Sequence, residues 1–339
     1  MEQGVYFVAG VKNSKLKLLY LAEIFEKKTD ENHYISATQI CDELAKLGIP
    51  AERKSIYKDI EILREYGYDI IHNGARNNGG YFLGERKFQL AEIRLLSDAV
   101  QAANFISQKK TNDLVKKIES FASDSQAKIL HSQVYVDNRP KCKNEEIYYT
   151  IHYLDEAITS QVKVKITYSR RKITDEFKTA SEEKTYIVSP YALIWSDDHY
   201  YLVCNNEKYD NLMHLRVEKI KKFTLTKEPA RHFSEVSNYR TSFDSADYAS
   251  KLFNMYSGEQ KPIELACNND LLEPILDRFG DKVRIQKLDD EHFILRTNAA
   301  VSDGLAAWVV QFGGRVKVRM PNDLINAVKQ KAQEILDNY

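Results

Sequence analysis

The sequence is short of cysteine and has no long apolar run. Its four cysteines, Cys41, Cys142, Cys204 and Cys267, stand far apart. This usage predicts neither a disulfide framework nor a zinc site, and it suits a reducing cytoplasm. No apolar run approaches the roughly 20 residues that cross a membrane, and the N-terminus lacks a signal peptide's architecture. We therefore expect a cytoplasmic protein with no membrane partner.

Net charge is also absent, because 49 Lys and Arg residues balance 49 Asp and Glu residues. Sequence-independent affinity for nucleic acid comes from neutralising phosphates, so a neutral chain has no overall field that attracts DNA. Any DNA-binding surface must then be a small basic face, doubled by dimerisation.

Signatures of catalysis are missing as well. The sequence has no phosphate-binding glycine loop ending in Lys-Ser or Lys-Thr, no nucleophile elbow and no His-Glu-x-x-His. The 8 histidines and 4 cysteines are dispersed, and each is more often a structural residue than a metal ligand. The sequence predicts no catalysis, no metal site and no cofactor.

Residues 50–83 carry the clearest local pattern in the chain. Ile56, Ile60 and Leu63 repeat at helical spacing, and Gly67 can take the left-handed conformation that ends a helix. Two strand-like runs follow, Tyr68–His72 and Gly80–Leu83, and predict a β-hairpin. Two further helical patterns precede them, at 14–27 and after the cap residue Ser36. Three short helices and a hairpin indicate a winged helix-turn-helix.

The outer face of this third helix supplies the candidate DNA contacts. Lys54 and Lys58 lie opposite the apolar line, and such side chains can pair with guanine in the major groove. The full set of candidates is Arg53, Lys54, Ser55, Tyr57 and Lys58 on the helix, with His72, Arg76 and Asn77 in the hairpin. The alternative is a solvated helix face on which Glu61 and Glu65 pair with Lys58.

Residues 88–107 show a helical pattern with two apolar faces, more than one small domain can cover. The helix is expected either to form part of a dimer contact or to pack between two domains of its own chain. A shorter helical pattern follows at 112–122, and residues 124–146 are predicted as a connection.

The pattern changes to β after a helical stretch at 147–160. Five short strand-like runs predict a small, strongly bent sheet or barrel. They span 162–168, 185–195, 199–204, 212–217 and 220–226. Residues 229–260 are predicted as a linker with one short helix. The order β-α-β-β-α-β then predicts a ferredoxin-like domain over 261–339.

Several stretches resemble the WYL-domain transcriptional regulators. They are Arg53–Ile60 with Gly79-Gly80-Tyr81, Pro190–Leu193 ahead of Tyr200–Val203, His214–Ile220, and Trp308–Gly313. The resemblance implies a multidomain α+β protein. Its parts would be a winged helix-turn-helix (1–86), a helical linker or dimerisation segment (87–140), a WYL domain with a small Sm/SH3-like β-barrel (141–228), a linker (229–260) and a ferredoxin-like C-terminal WYL extension (261–339).

The same resemblance implies a basic and aromatic ligand pocket in the WYL domain. The matching residues are Tyr168, Tyr191, His199, Tyr201, Arg216 and Lys219. Rings stack on bases and cations hold phosphates, so a nucleotide or short single-stranded nucleic acid suits such a pocket. Alternatively, the tyrosines are ordinary strand residues, and Glu218 pairs with Arg216 in a purely structural contact.

As a whole, the resemblance implies a bacterial repressor that binds double-stranded DNA at an inverted repeat as a homodimer. An anionic effector would control it, and antiphage defence genes are among the targets that the family suggests. Two other functions stay open. One is a nucleic-acid sensor whose helix-turn-helix mediates assembly, and the other is a nucleotide-processing enzyme.

Overall fold

The computed structural model describes residues 14–74, 79–132, 141–174, 179–281 and 283–339. The chain divides into two compact units, Met1–Lys143 and Asn144–Tyr339. Among the described residues, none of the helices combines the length and the apolar content that a membrane crossing requires.

The first unit begins with three helices and a two-stranded sheet. These are α1 (Ser14–Lys28), α2 (Ala37–Lys46), α3 (Arg53–Tyr66), β1 (Ile70–Asn73) and β2 (Gly80–Leu83). The predicted apolar line of α3 is buried, and it packs against Phe25, Ile40 and Leu44 of the other two helices. β1 and β2 are antiparallel, with Ile70 opposite Leu83.

Local signals in the sequence place the ends of these helices. Ser36 caps α2: its side chain accepts a hydrogen bond from the Gln39 backbone, and the Gln39 side chain accepts one from the Ser36 backbone. Gly67 ends α3 with a φ of 113°, as predicted. Glu52 precedes α3 and makes no capping hydrogen bond with its side chain.

The hairpin of β1 and β2 is held against the helices by backbone contacts. Ile35 and Tyr81 exchange two backbone hydrogen bonds of 3.0 and 2.8 Å. Arg64 of α3 donates from Nε to the carbonyl oxygen of Ile70 at 2.8 Å. These bonds fix the position of the hairpin relative to α3.

Three more helices complete the first unit: α4 (Leu90–Ala102), α5 (Gln108–Glu119) and α6 (Asp124–Ser132). The prediction of a connection over 124–146 is wrong at its start, where α6 forms. Ala127 and Leu130 of α6 pack against Ile93 and Ala122, a contact that the short apolar pattern of α6 did not reveal. α4 is shorter than predicted, and its second apolar face is exposed at Leu95 and Ala99.

The second unit starts with one helix and a five-stranded sheet. They are α7 (Ile147–Thr159), β3 (Val162–Ile173), β4 (Thr179–Ser196), β5 (His199–Asn205), β6 (Met213–Arg216) and β7 (Ile220–Pro229). The strands are antiparallel in the order β6-β5-β4-β3-β7. β4 pairs with β3 along its first part and with β5 along its last part, with an irregularity between Pro190 and Ala192.

The rest of the chain contains the predicted order of strands and helices. Helix α8 (Ser245–Ser250) precedes β8 (Glu259–Asn268), α9 (Leu272–Phe279), β9 (Arg284–Lys287), β10 (His292–Val301), α10 (Asp303–Val310), β11 (Val316–Met320) and α11 (Asn322–Asn338). These strands form an antiparallel sheet in the order β11-β8-β10-β9. The stretch before β8 is well packed, because Tyr248, Leu252 and Met255 are buried against Ala192 and Val203.

Candidate nucleic-acid interface and anion site

The outer face of α3 presents three cations. Arg53, Lys54 and Lys58 are exposed, and none of them makes a hydrogen bond or ion pair within the described residues. Tyr57 lies beside them and is 46% exposed. Glu61 pairs with Arg64 at 2.7 Å, rather than with Lys58 as the alternative interpretation required. The positive charge of Lys58 is therefore not neutralised by a partner on this helix.

Ser55 lies apart from this exposed face. Lys17 of α1 donates from Nζ to Ser55 Oγ at 2.5 Å and pairs with the buried Asp59 at 2.6 Å. The Ser55 oxygen is thus engaged as an acceptor, which leaves its O–H to donate to another group. Lys17 was not singled out from the sequence, although the acidic Asp59 beside the buried line of α3 was a signal that a cation lies nearby.

Aromatic rings join α3 to the hairpin. The Tyr57 and Tyr81 rings lie 6.4 Å apart, and the exposed His72 meets Tyr81 edge-on at 4.7 Å. The hairpin therefore holds His72 on the same side as Tyr57. Arg76 and Asn77, the other two hairpin candidates, lie outside the described residues.

In the second unit, two side chains meet at a buried carboxylate. Arg216 donates from Nε to Glu218 Oε1 at 2.6 Å, and its Nη2 is 2.6 Å from the same oxygen. His199 Nδ1 is 2.9 Å from Glu218 Oε1 and 2.8 Å from Arg216 Nη2. Only 8% of the Glu218 side chain is exposed. Arg216 thus has the acidic partner that the sequence had left as one of two alternatives.

Two tyrosines border this group. Tyr201 is paired with Arg216 across β5 and β6 and lies edge-on to His199 at 6.2 Å. Tyr168 is buried, and its hydroxyl oxygen accepts the backbone N–H of Arg216 at 3.2 Å. Burial raises the pKa of both phenols. Tyr168 therefore supports the backbone of Arg216, while Tyr201 is half-exposed beside its side chain.

Lys219 adds a further cation. Burial lowers its pKa, and repulsion by Arg216 lowers it further. Arg170 and Arg171, exposed near the end of β3, act on Lys219 in the same direction. Sequence reasoning missed these two arginines, although the run Arg170-Arg171-Lys172 was a visible signal. Asp197 and Asp198 add negative charge at Tyr201 and His199. Four cations therefore face three carboxylates, and the group keeps a small net positive charge that favours an anion.

Tyr191 is not part of this group. Its hydroxyl donates to the carbonyl oxygen of Arg231 at 2.9 Å, and its ring packs on Phe233 and Phe243. Burial raises the pKa of Tyr191 to about 12. The structure therefore brings together five of the six predicted ligand residues and places Tyr191 in a separate aromatic cluster.

A separate cleft of about 590 Å³ runs along α7 and β7. It is lined by the rings of Tyr149, Tyr153 and Phe223 and by Lys221 and Lys222. None of the six predicted ligand residues lines it. Lysines on an edge strand are also a common protection against unwanted strand pairing, so the cleft by itself indicates no ligand.

Residues 150–225, which contain the Arg216 group, match the WYL domain, and residues 264–336 match the WCX domain. The chain contains a WYL domain and a WCX domain. Its WYL domain covers most of α7, the strands β3 to β6 and the first part of β7. All six predicted ligand residues lie inside it.

Other comparisons add little to this assignment. No curated protein matches the WYL-domain protein in sequence. Among solved structures, it is similar to proteasome accessory factor B/C (PafBC) of Arthrobacter aurescens, with 14% identity and a TM-score of 0.26. The match covers 100% of this chain and 51% of the PafBC chain, so this chain spans about half the length of that protein.

Proposed function

We propose that this WYL-domain protein is a sequence-specific DNA-binding transcriptional repressor. It acts as a homodimer on an inverted repeat and responds to an anionic effector, a nucleotide or a short single-stranded nucleic acid. The observation that carries the proposal is the exposed group of Arg53, Lys54 and Lys58 on α3. These cations have no partner among the residues that the structure describes, and they lie beside a hairpin that α3 holds in place.

Because the whole chain has no net charge, the positive charge of Arg53, Lys54 and Lys58 is a local feature of α3. Several exposed lysines of this chain have a carboxylate nearby, as Lys46 has Glu43. Three cations without such partners leave a local positive field, which suits phosphates and the acceptor edge of guanine. Tyr57 and His72 extend the surface from the helix to the hairpin, as expected for a helix in the major groove and a wing beside it.

Exposed leucines support the homodimer. Leu95 and Leu96 of α4 are 70% and 42% exposed, and exposed apolar side chains that lie together can form a contact with another protein. Two copies joined there would carry two α3 helices, which an inverted repeat would match by symmetry.

The cationic group around Arg216 supports an anionic effector. Five predicted residues meet there with two further arginines, and the half-exposed Tyr201 ring offers a surface on which a base can stack. An effector of this kind controls DNA binding only if it favours one arrangement of the chain over another.

The strand orders also support two finer fold assignments. We assign the sheet β11-β8-β10-β9 with its helices as ferredoxin-like, since neighbouring strands are antiparallel and the first and third strands lie at its centre. We assign the five-stranded sheet as a small Sm/SH3-like barrel, in which the long β4 serves both halves.

The first prediction concerns the two lysines. Lys54→Ala and Lys58→Ala should each weaken binding to the operator by roughly 1–3 kcal/mol if they contact bases. The measurement is a gel-shift titration of the full chain with its own upstream DNA. Lys109→Ala, which changes an exposed lysine of α5, is the matched control and should bind as the unmodified chain does.

The same titration separates the proposal from its rivals. If the unmodified chain binds no DNA at ordinary salt, or binds all sequences equally, the repressor proposal fails. If it binds its operator but neither lysine matters, α3 does not read the DNA, and the sensor interpretation becomes the better one.

A further inference from the structure

The two carboxylate oxygens of Glu218 differ in their contacts. Its Oε1 atom faces Arg216 Nε, Arg216 Nη2 and His199 Nδ1, all within 2.6 to 2.9 Å. Its Oε2 atom is buried and has no hydrogen-bond partner within the described part of the chain. A buried charged oxygen without a donor is unfavourable, because it has lost its hydration without gaining a hydrogen bond. Most buried polar side-chain atoms have a hydrogen-bond partner, so the bare Oε2 of Glu218 calls for an explanation.

The contacts of His199 are also in conflict. If Nδ1 has no hydrogen, it accepts from Arg216 Nη2, but its lone pair then faces the Glu218 oxygen at 2.9 Å. If Nδ1 carries a hydrogen, it donates to Glu218, but that hydrogen then meets the N–H groups of Arg216. One ring nitrogen cannot be donor and acceptor at once. In either state, one of the two short contacts is unfavourable.

The cations near Arg216 would suit an anion with more negative charge than a carboxylate. Lys219, Arg170 and Arg171 add positive charge around Arg216, and the Arg216 side chain is 31% exposed and therefore accessible from solvent. A phosphate group has more charge and more acceptor oxygens than a carboxylate. It can take several N–H donors at once.

We propose that Glu218 is a resident anion that holds the place of a ligand's phosphate group. A phosphate-bearing ligand displaces the carboxylate from Arg216 and His199, and the carboxylate moves out of the group. The charge of Glu218 therefore weakens phosphate binding and sets the ligand concentration at which the site fills. This inference rests on the proposed effector site and adds the residue that tunes it.

The test compares phosphate binding by the full chain and by Glu218→Gln, measured by isothermal titration calorimetry. The probes are inorganic phosphate, adenosine 5′-monophosphate and a short 5′-phosphorylated oligodeoxynucleotide, with adenosine as the uncharged control. Glu218→Gln should bind at least one phosphate-bearing probe about tenfold more tightly than the unmodified chain, because a nearby negative charge is gone. The probe whose affinity increases most shows whether the site takes free phosphate, a nucleotide or the end of a nucleic-acid strand.

Three variants complete the design. Glu207→Gln, which changes an exposed glutamate paired with Lys163, should bind as the unmodified chain does. Arg216→Ala should lose binding. Glu218→Asp keeps the charge but withdraws it from Arg216, so it should show a smaller gain than Glu218→Gln and replaces that variant if the latter does not fold.

Equal or weaker phosphate binding in the folded Glu218 variants would overturn the inference, and so would an absence of binding to every probe. The outcome is independent of the gel-shift titration. A chain that binds its operator and the phosphate probes, but gains nothing from the Glu218 changes, refutes only the role of Glu218. A chain that binds its operator but none of the probes refutes the anionic effector as well. A chain that passes it but ignores DNA refutes only the repressor.

Discussion

At the scale of single residues, the meaning of a charge depends on what stands next to it. Lys17 forms an ion pair with the buried Asp59, and Arg216 forms one with Glu218. Lys54 and Lys58 have no such partner in the described structure and remain available. All four residues are basic side chains in the sequence, and only their neighbours separate structural cations from candidate contacts.

His214 shows the same dependence for a titrating group. Its Nδ1 lies 2.6 Å from the carbonyl oxygen of Met255, and its Nε2 lies 2.9 Å from the Tyr248 hydroxyl. Ser257 Oγ is 3.4 Å from Nδ1, and no carboxylate contacts the ring within the described residues. Burial lowers the pKa of His214, so the folded chain keeps the ring neutral.

A pH dependence of stability follows. As the pH falls below the ordinary histidine pKa, His214 is protonated in the unfolded chain before it is protonated in the folded chain. The unfolded state is therefore favoured, and the free energy of unfolding falls. The melting temperature of the full chain should therefore drop between pH 7.5 and pH values below the ordinary pKa of about 6.5. His214→Gln should reduce this slope, because glutamine keeps a donor and an acceptor but does not titrate.

The control for this prediction is His199→Gln. Burial also lowers the pKa of His199, so that variant should remove a different part of the slope. An unchanged slope in His214→Gln would show that His214 does not carry a proton-linked part of the stability.

At the scale of elements, the hairpin depends on a close backbone approach. A Cβ atom added at Gly80 would lie 2.8 Å from the Ile35 carbonyl oxygen and 2.9 Å from its carbon. Both are backbone atoms, so the strand itself would have to move. The two hydrogen bonds between Ile35 and Tyr81 would weaken as β2 shifts.

Gly80→Ala should therefore lower the free energy of unfolding by roughly 1–3 kcal/mol and weaken operator binding, since β2 must move away from Ile35 and the hairpin shifts with it. Gly74→Ala is the matched control, because an added Cβ at Gly74 meets no atom within 4 Å. Urea denaturation monitored by circular dichroism measures the difference. Equal stability of the two variants would show that β2 tolerates the shift.

At the scale of the whole molecule, a neutral chain separates its charges into local surfaces. The first unit carries the unpaired cations of α3, and the second carries the cationic group around Arg216. If two copies must join to bind DNA with useful affinity, the contact between them matters as much as the contact with DNA.

Leu95→Glu tests that contact. A charge at an apolar contact between copies is costly to desolvate, so the variant should sediment as a monomer and bind the operator more weakly. Leu19→Glu is the matched control, because Leu19 is 68% exposed and Leu95 is 70% exposed. A Leu95→Glu chain that stays dimeric by analytical ultracentrifugation would place the dimer contact elsewhere.

The sequence by itself determined the features that depend on near neighbours. Helical spacing predicted α3, Gly67 predicted its end, and alternation with turn residues predicted the strands and their order along the chain. The domain motifs identified the WYL domain from short stretches. These signals are local, because a helix or a strand is decided mainly by residues within a few positions.

Only the tertiary structure decided which of the predicted residues act together. Lys17 and Asp59, or His199 and Glu218, are far apart in sequence and meet because helices and strands pack. The same packing placed Tyr191 away from Arg216 and formed α6, packed through Leu130, where a connection was expected. Contacts of this kind depend on the whole arrangement of elements, and no local pattern records them.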